Sequence, residues 1–284
     1  MTMTRPTPIT QKQVASFLKP RAKDSHKGLF GTVTVIGGAS GMVGAALMAG
    51  RAALKMGAGC VHVGLLADNA PAVDVMQPEL MLHQAFDALK STEPDVLAIG
   101  CGLGHSSAAQ KLVYDALMLD VTLLLDADAL NLIALRPDLR AMLHERKAES
   151  VFTPHPGEAA RLLGCSTEDI QKDRPRAILS LVQRLGGSVV LKGAGSLCAT
   201  SDGRLHINHT GNPGMSSAGM GDVLAGMIAS FIAQGLVADQ ALLLGVHLHG
   251  AAGDELAKQQ AALGMSSTEV TEWARWLLNR WVTL

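Results

Sequence analysis

The sequence predicts an α/β fold with a largely parallel central sheet flanked by helices. Short aliphatic runs near residues 31–36, 61–65, 95–99, 121–126, 149–153 and 188–192 have the length and β-branched content of buried strands. Most are separated by stretches long enough for one helix, the spacing of βαβ units, whose strands pair in parallel. At 284 residues, 48% hydrophobic and with 30 glycines, the chain can bury one large core. No Pro/Ser-rich linker or charge run marks a boundary, so a single domain over 1–284 is expected, with 1–25 as an N-terminal extension.

Taken in order, GTVTVIGGASGMVGAALMAGRAALKMGAG (Gly31 to Gly59) reads as strand, glycine loop and helix, the helix near 43–56. Its glycine spacing is GGxxGxxG rather than the GxGxxG of dinucleotide folds, a weak signal by itself. Gly37, Gly38 and Ala39 leave room for a ligand, while Ala45, Ala46, Ala49, Ala52 and Ala53 suit close helix packing. AIGCGLG (Ala98 to Gly104) ends a strand in glycines before a helix near 106–118. LLLDADALN (Leu123 to Asn131) ends one in Asp126 and Asp128, where either one carboxylate orients substrate or Lys192, or the pair caps the next helix. VFTPHPGEAARLL (Val151 to Leu163) is strand, turn and helix, with His155 and Glu158 at the turn.

A helix near 175–185 precedes the strand Ser188 to Leu191, which runs into Lys192, Gly193, Ala194, Gly195 and Ser196. Short strands near 197–200 and 205–208 form a hairpin whose turn is the dipeptide Asp202-Gly203. Helices near 222–235, 239–259 and 268–282 complete the chain. Trp273, Trp276 and Trp281 mark a core or subunit-contact face on the last of them. Glycine and polar residues thus recur where strands end, and in open α/β sheets those ends share one ligand crevice.

The segment NPGMSSAGMGDVLAG (Asn212 to Gly226) carries the most chemistry. A glycine loop leads into an apolar helix, whose first amides and dipole stabilise an anion. Gly219 and Gly221 let the backbone come close to it. Asp222 at the junction would repel a phosphate. It acts either as a base on a hydroxyl beside that phosphate or as a helix cap.

Composition excludes other classes. The net charge of −1, with lysine and arginine scattered, leaves no electrostatic footprint for nucleic acid. The first twenty residues lack an apolar signal-peptide core, and the apolar stretch around Val223 to Ala233 is too short to span a bilayer. A cytoplasmic protein with no membrane partner is expected. Cys60, Cys101, Cys165 and Cys198 show no metal-ligand spacing and read as small buried thiols, kept reduced.

Six motifs together, from KGLFGTVTVIGG at Lys27 through GCGLG, LLDADALN, TPHPGEAARLL, VVLKGAGS and NPGM…AGMGDVLAG, resemble the ADP-dependent NAD(P)H-hydrate dehydratase family. The resemblance runs in register from about Lys27 to Asp254. It implies a ribokinase-like three-layer sandwich and the stand-alone dehydratase without an epimerase domain. It also implies a homo-oligomer, a tetramer by family likeness. The chain departs from the family at Cys101, where proline is usual, at Met220, where a small residue is usual, and at Ser216-Ser217, where Ala-Thr is usual. None of these removes a charged or glycine position.

The resemblance implies a reaction in which ADP phosphorylates the C6 hydroxyl of the hydrate, so that phosphate leaves in place of hydroxide. The products are NAD(P)H, AMP and phosphate. Asp222 is then the base, with the amides of Gly219 to Gly221 receiving the developing charge. Lys192, Gly193, Ala194, Gly195, Ser196, Gly219 and Gly221 would contact the nucleotide. Ala39, Gly102, Gly104, His155 and Asp222 would line the hydrate pocket, unless His155 is simply a turn histidine satisfied by backbone. Glu158 matches an acidic position that helps organise Mg²⁺ through water in related kinases, or is a first-turn glutamate favoured by the helix dipole. Two other readings share the loop: an ATP-dependent kinase of a small alcohol such as hydroxymethylpyrimidine or hydroxyethylthiazole, and a non-catalytic nucleotide sensor. Asp222 speaks against the sensor.

Overall fold

The computed structural model describes residues 5–282. Residues 1–4, at the start of the expected extension, and 283–284 lie outside the described residues. The strands are β1 (Thr7–Pro8), β2 (Thr32–Gly37), β3 (Cys60–Leu65), β4 (Met81–Gln84), β5 (Val96–Ile99), β6 (Thr122–Leu125), β7 (Ser150–Phe152), β8 (Ser188–Leu191), β9 (Leu197–Ala199) and β10 (Leu205–Ile207). The helices are α1 (Gln11–Ala15), α2 (Val43–Lys55), α3 (Ala85–Ser91), α4 (Ser107–Leu117), α5 (Ala127–Leu135), α6 (Pro137–Glu145), α7 (Pro156–Leu163), α8 (Thr167–Lys172), α9 (Arg174–Leu185), α10 (Met220–Ala233), α11 (Ala238–Gln259) and α12 (Ser267–Trp281).

All ten strands join one sheet in the order β1-β10-β9-β8-β7-β6-β5-β2-β3-β4. The run from β4 to β8 is parallel, and β9 and β10 add an antiparallel hairpin. The expected Asp202-Gly203 turn forms there, with Gly203 at φ +82°. Side-chain alternation explains why the parallel strands are apolar throughout. In β5, Val96 and Ala98 enter one core while Leu97 and Ile99 enter the other. Helices α1, α2, α10, α11 and α12 supply the first core, and α3 to α9 the second, giving three layers. Ile9 and Val14 are buried in the first core, so the segment before β2 is packed against the sheet.

Small residues bring α10 close to α2. A Cβ on Gly226 would lie 2.0 Å from the carbonyl oxygen of Ala49; of the expected packing residues Ala46, Ala49, Ala52 and Ala53 are buried and Ala45 is partly buried. That contact fixes where the N-terminus of α10 points.

Several elements went unread in the sequence: β1, α1, β4, α3, α6 and α8. β4 is a four-residue edge strand, half exposed, with little apolar patterning to announce it. The cysteines differ from the expectation of four buried thiols. Cys101 and Cys198 are buried, but Cys60 is only half-buried and Cys165 is exposed at the turn after α7.

Candidate active site

Strand order reverses beside β2: the chain runs outward through β3 and β4, then returns to place β5 on the other side. The loops after β2 and β5 therefore flank the opening where ligands of such sheets bind. They are tied together, since Gly38 N–H donates to Cys101 O at 3.0 Å and Ala39 N–H to Gly102 O at 2.7 Å. No side chain fits at Gly37, whose Cβ would lie 2.1 Å from Cys101 O. Ala39, Gly102 and Gly104 thus meet, and Gly104 N–H donates to Asp128 Oδ2 at 2.8 Å.

The next strand end supplies a buried ion pair. Lys192, after β8, donates to Asp126 Oδ1 at 2.8 Å, and Thr153 Oγ1 donates to the same oxygen at 2.7 Å. Asp126 sits at the N-cap position of α5 but makes no capping hydrogen bond. Ala127, which follows, has φ +48°, the only non-glycine residue at positive φ among those described. Of the two readings of the aspartate pair, the structure brings Asp126 to Lys192 and Asp128 to Gly104.

Glu158 completes this cluster at 3.9 Å from Lys192 Nζ. Its Oε2 accepts the His155 N–H at 2.7 Å, while His155 Nδ1 accepts from Gly157 N–H at 2.9 Å, a capping box at the start of α7. The turn role weighed for His155 is therefore present, with its imidazole half exposed. Burial, and then Lys192, pull the His155 imidazole below its ordinary value. Burial pushes Glu158 up to about 7 despite the nearby ammonium. Burial alone would depress Lys192, but Asp126 and Glu158 outweigh it and hold its pKa above the ordinary value.

α10 begins two residues earlier than expected, and this separates the two readings of Asp222. Gly219, at φ +88°, is the N-cap, and Asp222 is the third residue of the helix, with no side-chain capping bond formed there. The cap reading fails on geometry. Gly219 packs against Met48 and Ser267, where a Cβ would come within 2.6 Å of both. Asp222 instead faces Cys101 and Asp126, the ligand atoms of all three lying within 4.8 Å of one another. Burial, then the charge of Asp126, raise its pKa to about 6. Burial and the same two carboxylates keep the Cys101 thiol protonated.

Beside this cluster runs a groove of about 480 Å³. Lys192, Gly193, Ala194, Gly195, Ser196 and Gly221 line it, together with the apolar Met220, Leu224 and Val246 and with His249 and Gly250. The segment Asn208 to Pro213 edges it. Gly193 (φ +135°) and Gly195 (φ +65°) take conformations that side chains resist. Arg174 braces the loop by donating to Leu191 O at 3.1 Å. A Cβ on Gly221 would stand 3.2 Å from Lys192 Nζ, a tight approach that the lysine would have to yield to. Arg174, His249 and the 208–211 stretch carry no local pattern that marks a site, whereas Thr153, Asn212 and Pro213 fall inside quoted motifs without a role of their own.

The donor set can be tested against Mg²⁺. Cys101, Asp126 and Asp222 cluster like ligands, but a soft sulfur is a poor Mg²⁺ donor and Asp126 is already taken by Lys192. Glu158 fits better. It is a hard oxygen donor whose charged form burial disfavours, so a cation nearby would favour it. A cation resting mainly on nucleotide phosphates, with Glu158 behind water, agrees with that chemistry.

Comparison with known proteins gives a consistent result. A family model described as NAD(P)H-hydrate dehydratase matches residues 33–275. The ADP-dependent (S)-NAD(P)H-hydrate dehydratase of Neisseria meningitidis is 41% identical, the match covering 92% of this chain and 90% of that protein. The bifunctional NAD(P)H-hydrate repair enzyme Nnr of Escherichia coli is 44% identical over 97% of this chain, which spans 53% of that longer protein. Among solved structures, the ADP/ATP-dependent NAD(P)H-hydrate dehydratase of Bacillus subtilis, co-crystallised with ATP/Mg²⁺, superposes with TM-score 0.88. It is 29% identical, with 98% of this chain and 99% of that chain covered. The ribokinase-like sandwich is the fold this chain adopts.

Proposed function

This chain belongs to the NAD(P)H-hydrate dehydratase family, and on that premise we propose that it converts NAD(P)H hydrate to NAD(P)H with ADP as phosphoryl donor, releasing AMP and phosphate. One observation carries the assignment of roles: Asp222 is a carboxylate with no capping duty, raised to about 6, on the first turn of the helix that borders the groove. A base poised near neutrality suits removal of a hydroxyl proton.

The C6 hydroxyl proton passes to Asp222, the oxygen bonds to the terminal phosphorus of ADP, and the bond to AMP breaks. The lone pair of the ring nitrogen then expels phosphate from C6, and loss of a C5 proton restores the dihydropyridine. The nucleotide lies along Lys192 to Ser196 and Gly221, with the hydrate against Ala39, Gly102, Gly104 and His155. Asp126 and Glu158 hold the Lys192 ammonium at the junction of the two, where it offsets phosphate charge. Mg²⁺, when bound with the nucleotide, would offset more of that charge, with Glu158 facing it through water. A cytoplasmic homo-oligomer, tetrameric by family likeness, belongs to the same proposal, and light scattering checks the assembly. Among the described residues no helix is long and apolar enough to cross a membrane.

Incubation with the NADH hydrate, Mg²⁺ and ADP should restore NADH absorbance with one AMP and one phosphate per turnover. The same assay with ATP decides the donor. Nucleotide consumption that leaves a stable phosphorylated alcohol and no NADH would move the protein to the small-alcohol kinases.

The cradle makes its own forecast. Gly193→Val places a branched side chain at φ +135°, with its Cβ 3.2 Å from the Arg174 guanidinium. Strain of about 1–3 kcal/mol corresponds to roughly 5- to 150-fold weaker ADP binding if the loop must keep its shape around the nucleotide. Hydrate affinity should change less. Unaltered ADP affinity by calorimetry, in a folded variant, would remove the nucleotide from this loop.

A further inference from the structure

His249 is a polar group in the groove that the reaction as written leaves idle. It lies on α11 and lines the groove with Leu224, Val246 and Gly250. Its Nε2 is buried and has no hydrogen-bond partner among the described residues. Such an atom is costly, and native proteins keep few of them. The other unpaired buried side-chain atoms, Arg146 Nε, Ser150 Oγ and His206 Nδ1, belong to residues that do not line this groove.

His247, two positions earlier on the same helix, supplies the contrast. Its Nδ1 pairs with Asn208 Oδ1 at 3.0 Å, and Asn208 Nδ2 donates on to Val246 O, so this imidazole fastens α11 to the end of β10. Two residues turn the helix by about 200°. The second imidazole therefore points away from Asn208, and His249 is one of the residues that line the groove.

Burial, then the charge of Lys192, push the His249 imidazole down to about 4. At neutral pH it offers one N–H and one lone pair without charge. Phosphate is better served by the lysine, the loop amides and the start of α10. A neutral imidazole among apolar walls matches an uncharged polar atom, a ribose hydroxyl or a purine ring nitrogen.

We propose that His249 Nε2 hydrogen-bonds the nucleoside part of the bound nucleotide, the part that ADP and AMP share. The proposal rests on the groove being the nucleotide site, as read above. It makes His249 a binding and positioning residue, with no proton to move in the reaction.

The test is His249→Leu in the full chain, with AMP and ADP affinities measured by calorimetry. Loss of one hydrogen bond to a neutral group should weaken both nucleotides by about 5- to 10-fold and by the same factor, leaving the KM for hydrate unchanged. Analogues name the atom. Of 2′-deoxy-ADP, 3′-deoxy-ADP and inosine diphosphate, the one lacking the partner should bind more weakly than ADP to the wild type and no more weakly to the variant. A structural defect would not produce that selective loss. A second readout needs no variant: the ¹⁵N resonance of His249 Nε2 should move during AMP titration of the wild-type protein. Unchanged AMP and ADP affinity in folded His249→Leu, or an Nε2 resonance indifferent to saturating AMP, overturns the proposal and leaves the nucleotide groove standing. Wild-type protein that binds neither nucleotide would remove the groove assignment itself, and this proposal with it.

Discussion

Replacing Asp222 by asparagine is expected to lower turnover of NAD(P)H hydrate by roughly 10²–10⁴-fold, the usual worth of a positioned base. The substitution keeps shape and polarity but cannot accept the hydroxyl proton. Capping does not complicate the comparison, because Gly219 holds the cap position. Nucleotide affinity should survive or tighten, since a negative charge beside the phosphates has gone. In the wild type, kcat/KM should fall as pH drops through about 6, where Asp222 becomes protonated. Near wild-type turnover in a folded Asp222→Asn protein would end the base assignment.

Stability offers an independent check on the same residue. The folded-state pKa of Asp222 is raised from the ordinary 3.8 to about 6. The native state therefore holds this proton more tightly than the unfolded chain, and native stability is lost as pH rises from about 3.8 through about 6. Asparagine does not titrate. The variant should gain stability over the wild type at pH 8 and lose that advantage below pH 4, as urea unfolding at the two values would show. A site that becomes more stable when it stops working is what a functional group held against its own solvation produces.

How much of this the sequence shows depends on the physics of each element. Strands β2, β5, β6 and β8 are legible because both faces are buried, which demands continuous aliphatic runs. The start of helix α5 is hard to place because it follows β6 with only Asp126 between them, a turn made by the positive φ of Ala127 that no residue type advertises. Two omissions had signals. Pro137 with Asp138 marks the start of α6, and Ser166 with Asp169 forms a capping box at α8.

The site divides in the same way. The loops at Gly37, Gly102 and Gly193 are visible as glycines because close backbone approach at the first two and a φ of +135° at the third disfavour other residues. Asp126 was visible only as an ambiguous carboxylate. Its role follows from contact with a lysine 66 positions away, which no local pattern encodes. His249 lies inside a long helix, where nothing in the spacing separates it from structural His247. The resemblance to a family named the loops and Asp222, while the hidden members of the site came from burial and pairing.

The buried ion pair leads to the second large effect: Lys192→Met should destabilise the protein at pH 8 by about 3–5 kcal/mol, the range for breaking a buried pair from one side. Methionine nearly matches the volume, so the loss is mainly of charge. Asp126 Oδ1, 2.8 Å from the ammonium, and Glu158 Oε2, at 3.9 Å, would face each other almost buried and uncompensated. The lysine side chain is 18% exposed, so water that reaches the gap places the expected loss at the lower end of the range. Without the lysine the folded-state pKa of Glu158, raised by burial to about 7, rises further above its unfolded value. The penalty then grows as pH increases and shrinks as pH falls towards the unfolded glutamate range, where Glu158 is neutral in either state. Urea unfolding of variant and wild type at pH 8 and pH 5 should therefore show a gap that narrows at the lower pH. ADP binding should weaken as well, because the cation that offsets phosphate charge has gone. A gap of the same size at both pH values would mean that Lys192 supports the fold by packing and not by its charge. Wild-type stability at pH 8 would mean that Asp126 and Glu158 do not depend on it, and the ammonium would then serve the ligand alone.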